Sequence, residues 1–186
     1  MTKILRTALA LTVVCGVAAL ALSFVYVVTR ERIASEARKE LDEALALVFP
    51  EGENFTPIDL ATLGPIPESK ELQFLEAYEA IKGGKRQGIV VKVASTGYGG
   101  PIVLLIGVDT EKGTITGIRV LEHQETPGLG SNVAAEPFLS QFLGKPLTSP
   151  FTIGEDVQAV SGATISSRAV ARACGKVAEL LRGERE

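Results

Sequence analysis

From Ala8 to Val28 the chain runs 21 residues without a charge, and this stretch limits what the rest can fold into. As a helix rising about 1.5 Å per residue it reaches about 31 Å, enough to cross the hydrocarbon core of a bilayer. A cleaved signal peptide would have a shorter apolar core ending in small residues. This one ends Phe24-Val25-Tyr26-Val27-Val28. Cys15 does not read as a lipoprotein site, because Val14 precedes it where a small residue is expected and apolar sequence continues to Val28. A retained membrane helix is therefore expected. In a chain of 186 residues it leaves room for one well-packed soluble domain.

Beyond Val28 stand 17 Lys and Arg against 22 Asp and Glu, a net charge of −5. Nothing in that balance indicates a nucleic-acid surface. Charge does not fix the orientation either: Lys3 and Arg6 on one side of the apolar stretch face Arg30, Arg32, Arg38 and Lys39 on the other. Cys15 lies mid-membrane and Cys174 near the C-terminus, so no disulfide framework marks the compartment.

The pattern divides the chain into a short tail with the membrane helix (1–29), a stalk helix with a linker (30–69) and a soluble domain (70–186). Ile33, Ala37, Leu41, Ala44 or Leu45, and Val48 keep helical spacing from Glu31 to Phe49, until Pro50 stops the run. Pro57, Gly64, Pro65 and Pro67 predict an irregular connection. Glu71 to Ile81 reads as a helix, with Leu72, Leu75 and Tyr78 on one side and Gly83-Gly84 as its stop. Gly88 to Ser95, Ile102 to Asp109 and Thr114 to Glu122, rich in Val and Ile, predict strands. Their short links require antiparallel pairing. A short helix near Glu136 to Phe142 and a longer one from Thr164 to Leu181 complete an α+β domain with an antiparallel sheet and packed helices.

Three loops concentrate glycine with polar side chains: Thr96 to Pro101, His123 to Gly130, and Ser161 to Ser167. Tight turns alone could explain each one. The third precedes a helix whose apolar face repeats every four residues, at Ile165, Ala169, Ala173, Val177 and Leu181. Thr164 therefore opens a helix, where unpaired N–H groups and the positive dipole end suit a phosphate. Gly162 and Ala163 keep the approach open, and Ser166 and Ser167 add hydroxyls. An ordinary N-cap by Ser161 or Thr164 is the alternative.

Over nearly its whole length the chain resembles a known family, the flavin-binding G subunit of the Rnf electron-transport complex. That family is related to the C subunit of the sodium-translocating NADH:quinone reductase. The resemblance rests on Ser161-Gly162-Ala163-Thr164, with Asp156 upstream and Ser166-Ser167 downstream, which looks like a flavinylation motif. Gly97-Tyr98-Gly99-Gly100-Pro101-Ile102 and Glu125-Thr126-Pro127-Gly128-Leu129-Gly130 match in the same order. It implies FMN bound covalently through a phosphoester to Thr164, with Ser161, Gly162, Ala163, Ser166 and Ser167 around the phosphate. Glu125, Thr126, Gly128 and Leu129 would lie against the flavin, and Tyr98 and Gly99 nearby.

Asp156 would serve recognition by a flavin transferase that uses FAD as donor. The implied protein is an electron carrier of the cell membrane, single-pass, with its C-terminal domain extracytoplasmic. It would work among other membrane subunits that couple ferredoxin and NAD to ion movement. The shortness of the chain favours the Rnf protein over its quinone-reductase relative. An anchored structural subunit without flavin is the rival of another class, and a self-sufficient flavin reductase finds no Rossmann fingerprint here. His123 and Arg168 are candidate neighbours of the site, each with a plain surface role as the alternative. No Cys or His cluster has metal spacing, so no metal is expected.

Overall fold

The computed structural model describes residues 2–67 and 69–183, and the chain divides into two units, Met1–Leu41 and Asp42–Glu186. Helix α1 spans Thr2–Val48, so the membrane and stalk segments are one unbroken helix rather than two. Its apolar side chains find no protein cover in the first unit: Leu9, Leu20 and Phe24 are exposed. By length and composition this is the one helix among the described residues that could cross a membrane.

The second unit has an α+β fold built on a five-stranded antiparallel meander. Its strands are β1 (Asn54–Ile58), β2 (Leu72–Lys82), β3 (Lys85–Thr96), β4 (Pro101–Asp109) and β5 (Thr114–Glu122), adjacent in that order. Three of the strands follow the Val- and Ile-rich runs of the sequence, but β2 corrects the helix expected over 71–81. Leu72, Leu75 and Tyr78 fit a helical stripe, yet Leu75 is exposed here while Ala77 and Ala80 are buried. What decides the matter is the turn. Gly83 and Gly84 take φ of 55° and 76°, the left-handed pair of a two-residue hairpin, and pair Lys82 with Lys85. The strand gains a ladder against β3 along its whole length, interrupted by register shifts between Phe74 and Glu76 and between Ala80 and Ile81. The connection expected to be irregular also contains β1, in which Pro57 is tolerated because the strand lies at the sheet edge.

The two faces of the sheet are covered differently. Ile89, Val91 and Val93 of β3 and Ile102, Leu104, Ile106 and Val108 of β4 share one face with the apolar side of α3 (Thr164–Gly183) in a single core. Val170, Val177, Leu180 and Leu181 are among the α3 side chains buried there, each contributing at most about 1.5–3 kcal/mol relative to exposure. On the opposite face the last turn of α1 lies against backbone. Gly107 pairs with Gly117 across β4 and β5, and a Cβ on either would come within 2.5–2.8 Å of Val48. Val48 O accepts a hydrogen bond of 2.9 Å from the Thr116 hydroxyl. Ala44, Leu45, Val48 and Phe49 are buried, so only the end of the predicted stalk stripe meets protein. The short helix α2 (Glu136–Leu139) continues as a 3-10 turn to Phe142, matching the helix expected there.

Candidate functional site

A cleft of about 330 Å³ opens where the three glycine-rich loops converge. The loop after β3 contributes Tyr98. The loop after β5 contributes Glu125, Thr126, Leu129 and Gly130. The start of α3 contributes Gly162, Ala163, Thr164, Ile165 and Ser166. Of the residues implied by the resemblance, Tyr98, Glu125, Thr126, Leu129, Gly162, Ala163, Thr164 and Ser166 line this cleft. Gly99, Gly128, Ser161 and Ser167 are not among its lining residues.

Thr164 is the first residue of α3, and its side chain is exposed. Gly162, at φ 76°, turns the chain into the helix, and Ala163 N–H donates to Val160 O. Ser167 N–H already reaches Ala163 O at 2.9 Å. The N–H groups of Thr164, Ile165 and Ser166 have no protein acceptor among the described bonds, as the first turn of a helix dictates. They sit at the positive end of a helix of 20 residues, next to an exposed hydroxyl. Tyr98, Leu129 and Ile165 are large apolar side chains left exposed at the rim of the cleft, at 74%, 52% and 49%. An anion at the helix end with a flat aromatic body against the apolar rim matches this donor set. The residues present fit FMN.

The two serines are not free donors. Ser166 Oγ donates to Glu125 Oε2 at 2.8 Å, and Ser167 Oγ donates to Ala163 O and accepts from Val160 N–H. Ser167 thus fastens the turn from inside, fully buried. Glu125 is the junction of all three loops. Its Oε1 accepts from Tyr98 N–H at 2.9 Å and from Gly99 N–H at 3.2 Å, while Oε2 takes the Ser166 hydroxyl. A Cβ on Gly97 would lie 2.2 Å from Oε1 and one on Gly130 2.5 Å from Oε2. These glycines therefore make room for a carboxylate of the protein itself. Gly128, at φ 78°, shapes the turn between Thr126 and Ser131.

Asp156 lies on the approach to α3 and is tied down. It accepts from Thr152 N–H at 2.8 Å and from Lys145 Nζ at 3.1 Å. Burial draws its carboxyl upward, but these donors outweigh it and hold it below the usual carboxylate range. The same turn carries Phe151 at φ 48°, a left-handed conformation rare for an aromatic residue. His123 is exposed, and its Nδ1 accepts from Glu125 N–H at 3.3 Å. Arg168 is exposed and forms none of the described ion pairs. Cys174 is buried in the core, where loss of solvent pushes its thiol up and leaves it unreactive.

Sequence reasoning missed three features. Ile165 faces the cleft, although its spacing placed it on the buried stripe of α3; its position next to Thr164 in the loop motif was the available sign. Gly130 lines the cleft, a role that its place at the end of the motif does not reveal. No local pattern marked Glu125 as the junction, because its partners lie 26, 27 and 41 residues away.

Comparison with known proteins agrees with this geometry. The FMN-binding domain family matches residues 97–179, which contain all three loops but for Thr96, and the RnfG N-terminal region matches residues 1–48. The G subunit of the ion-translocating oxidoreductase complex of Methanosarcina acetivorans is 33% identical over 171 residues, covering 91% of this chain and 88% of that protein. The protein of the same name from Cereibacter sphaeroides is 36% identical, covering 83% and 73%. The G subunit of the proton-translocating ferredoxin:NAD(+) oxidoreductase complex of Clostridium ljungdahlii is 29% identical, covering 91% and 86%. Among solved structures, Shewanella oneidensis NqrC aligns with a TM-score of 0.48 at 28% identity, over 58% of this chain and 61% of that one. With one-third identity over 91% of its length and matches to both family models, the chain belongs to the family of ion-translocating oxidoreductase complex G subunits and carries an FMN-binding domain.

Proposed function

We propose that this chain is the flavin-carrying electron-transfer subunit of an Rnf-type ferredoxin:NAD oxidoreductase complex, with FMN held by a phosphoester to Thr164. The observation that carries this reading is the exposed Thr164 hydroxyl beside three open N–H groups at the start of α3, on a cleft with an apolar rim. The flavin supplies the one- and two-electron chemistry. The protein's part is to bind and to orient. The N–H groups of Thr164, Ile165 and Ser166 would take the phosphate oxygens, while Tyr98, Leu129 and Ile165 keep water from the ring. In maturation, the Thr164 hydroxyl would lose its proton and replace AMP on the phosphate of FAD, which a flavin transferase presents.

Coexpression with such a transferase tests the reading. The wild-type chain is expected to gain the mass of FMN less water and to fluoresce after denaturation. Thr164→Val keeps the side-chain shape and removes the nucleophile, so it should do neither. A flavin adduct on the valine variant, or mapped to Ser166 or Ser167, would overturn the assignment. The proposed topology spans the membrane with α1 and places the domain outside the cytoplasm. Protease added to sealed right-side-out vesicles should digest the domain, and full protection would reverse the orientation.

A further inference from the structure

Glu125 is buried to 5% exposure in the wall of the cleft, and all its partners are neutral. It accepts three hydrogen bonds, from Tyr98 N–H and Gly99 N–H on Oε1 and from the Ser166 hydroxyl on Oε2. That is the bonding of an ionised carboxylate, which only accepts. None of the described ion pairs involves it, and His123 Nδ1 accepts from the Glu125 backbone N–H. An unpaired charge is costly to bury even when hydrogen-bonded, and here three loops converge to hold it. Stability alone does not call for such an arrangement, because an apolar side chain of similar volume would avoid the desolvation cost.

The charge lies where electrons would arrive. An acid fixed in a water-poor wall repels any negative charge added beside it, more strongly than it would in bulk water. We propose that Glu125 is a positioning and electrostatic residue that lowers the reduction potential of the flavin bound in this cleft. The inference rests on the flavin reading above. Ser166 takes part as the neutral donor that spreads the charge on Oε2. The three hydrogen bonds keep the carboxylate in place without cancelling it, as an Arg or Lys partner would.

The full-length chain, flavinylated by coexpression and solubilised in detergent, carries the test. Glu125→Gln is nearly isosteric: its amide oxygen can accept from Tyr98 and Gly99, and its NH2 can donate to Ser166 Oγ. The loaded variant is expected to keep the covalent mass, to melt near the wild-type temperature and to show a midpoint potential above wild type. Glu125→Asp keeps the charge and should stay near the wild-type value. Ser166→Ala leaves the carboxylate and removes its donor, so its potential should fall below wild type. A Glu125→Gln potential equal to wild type overturns the proposal. So does loss of flavin from a folded Glu125→Gln chain that Glu125→Asp restores, because Glu125 would then seat the cofactor rather than tune it. If Glu125→Gln does not fold, Ser166→Ala decides, and a potential at or above wild type sinks the idea. Absence of covalent flavin on the wild-type chain is a different failure and removes the flavin reading itself.

Discussion

Two regions of the second unit use glycine to admit another part of the same chain, and what they admit differs. Under the end of α1, Gly107 and Gly117 let the backbone of Val48 touch the sheet. At the cleft, Gly97 and Gly130 let the Glu125 carboxylate sit between loops. The first arrangement buries apolar groups beside Val48 and Phe49 and contributes stability. The second buries a charge and spends stability on a site. A glycine in a strand and a glycine in a motif look alike in sequence; the guest that each one accommodates tells them apart.

Substitutions can break that distinction or sharpen it. The largest effect is expected at Gly117→Val, whose Cβ would fall 2.5 Å from Val48 O, with no flexible side chain to yield. It should destabilise the domain by about 3 kcal/mol, the upper range of overpacking, and thermal unfolding measures it. Whatever fraction remains folded should still accept flavin, and loss of flavin from folded protein would erase the contrast between the regions.

A smaller effect is expected at Gly130→Ala, whose Cβ would fall 2.5 Å from Glu125 Oε2 and 2.9 Å from Glu125 Cβ, so that a small shift of the loop must accompany any movement of the carboxylate. The cost should be about 1 kcal/mol in the same assay. Flavin loading should fall as well, since Glu125 and Gly130 both line the cleft. Equal loading with normal stability would show that the loop has slack around Glu125.

The smallest effect concerns Asp156, the acid near the same site that does have a cation. Its folded-state pKa is below its unfolded value, so its stabilisation is complete above the ordinary carboxylate pKa and is lost as pH falls through the folded value. With Lys145 at 3.1 Å and both side chains about 20% exposed, the contribution should stay below about 1 kcal/mol. Asp156→Asn should flatten the acid limb of a stability-against-pH curve and leave the neutral limb slightly lower. An unchanged acid limb would mean that other carboxylates, Asp109 among them, carry it.

Much of this protein is determined locally and is therefore written in the sequence. An uncharged run of 21 residues is a long apolar helix in any surroundings. Val and Ile at the β3, β4 and β5 positions favour strands through their own branching, and α3 announces itself by an apolar residue at every fourth position. The three loops were legible as a set because glycine and hydroxyl residues cluster there. Segment 72–82 was not legible, because its apolar spacing satisfies a helix and a strand about equally. Pairing with β3 through Gly83-Gly84 settled it, and pairing energy belongs to two segments rather than one. The same reason governs the cleft. Which hydroxyl stays exposed, as on Thr164, and which turns inward, as on Ser167, depends on acceptors supplied by the folded chain. Glu125 was visible as a residue from the start, but the junction it makes is closed by partners up to 41 residues away, and only the tertiary structure brings them within 3.2 Å.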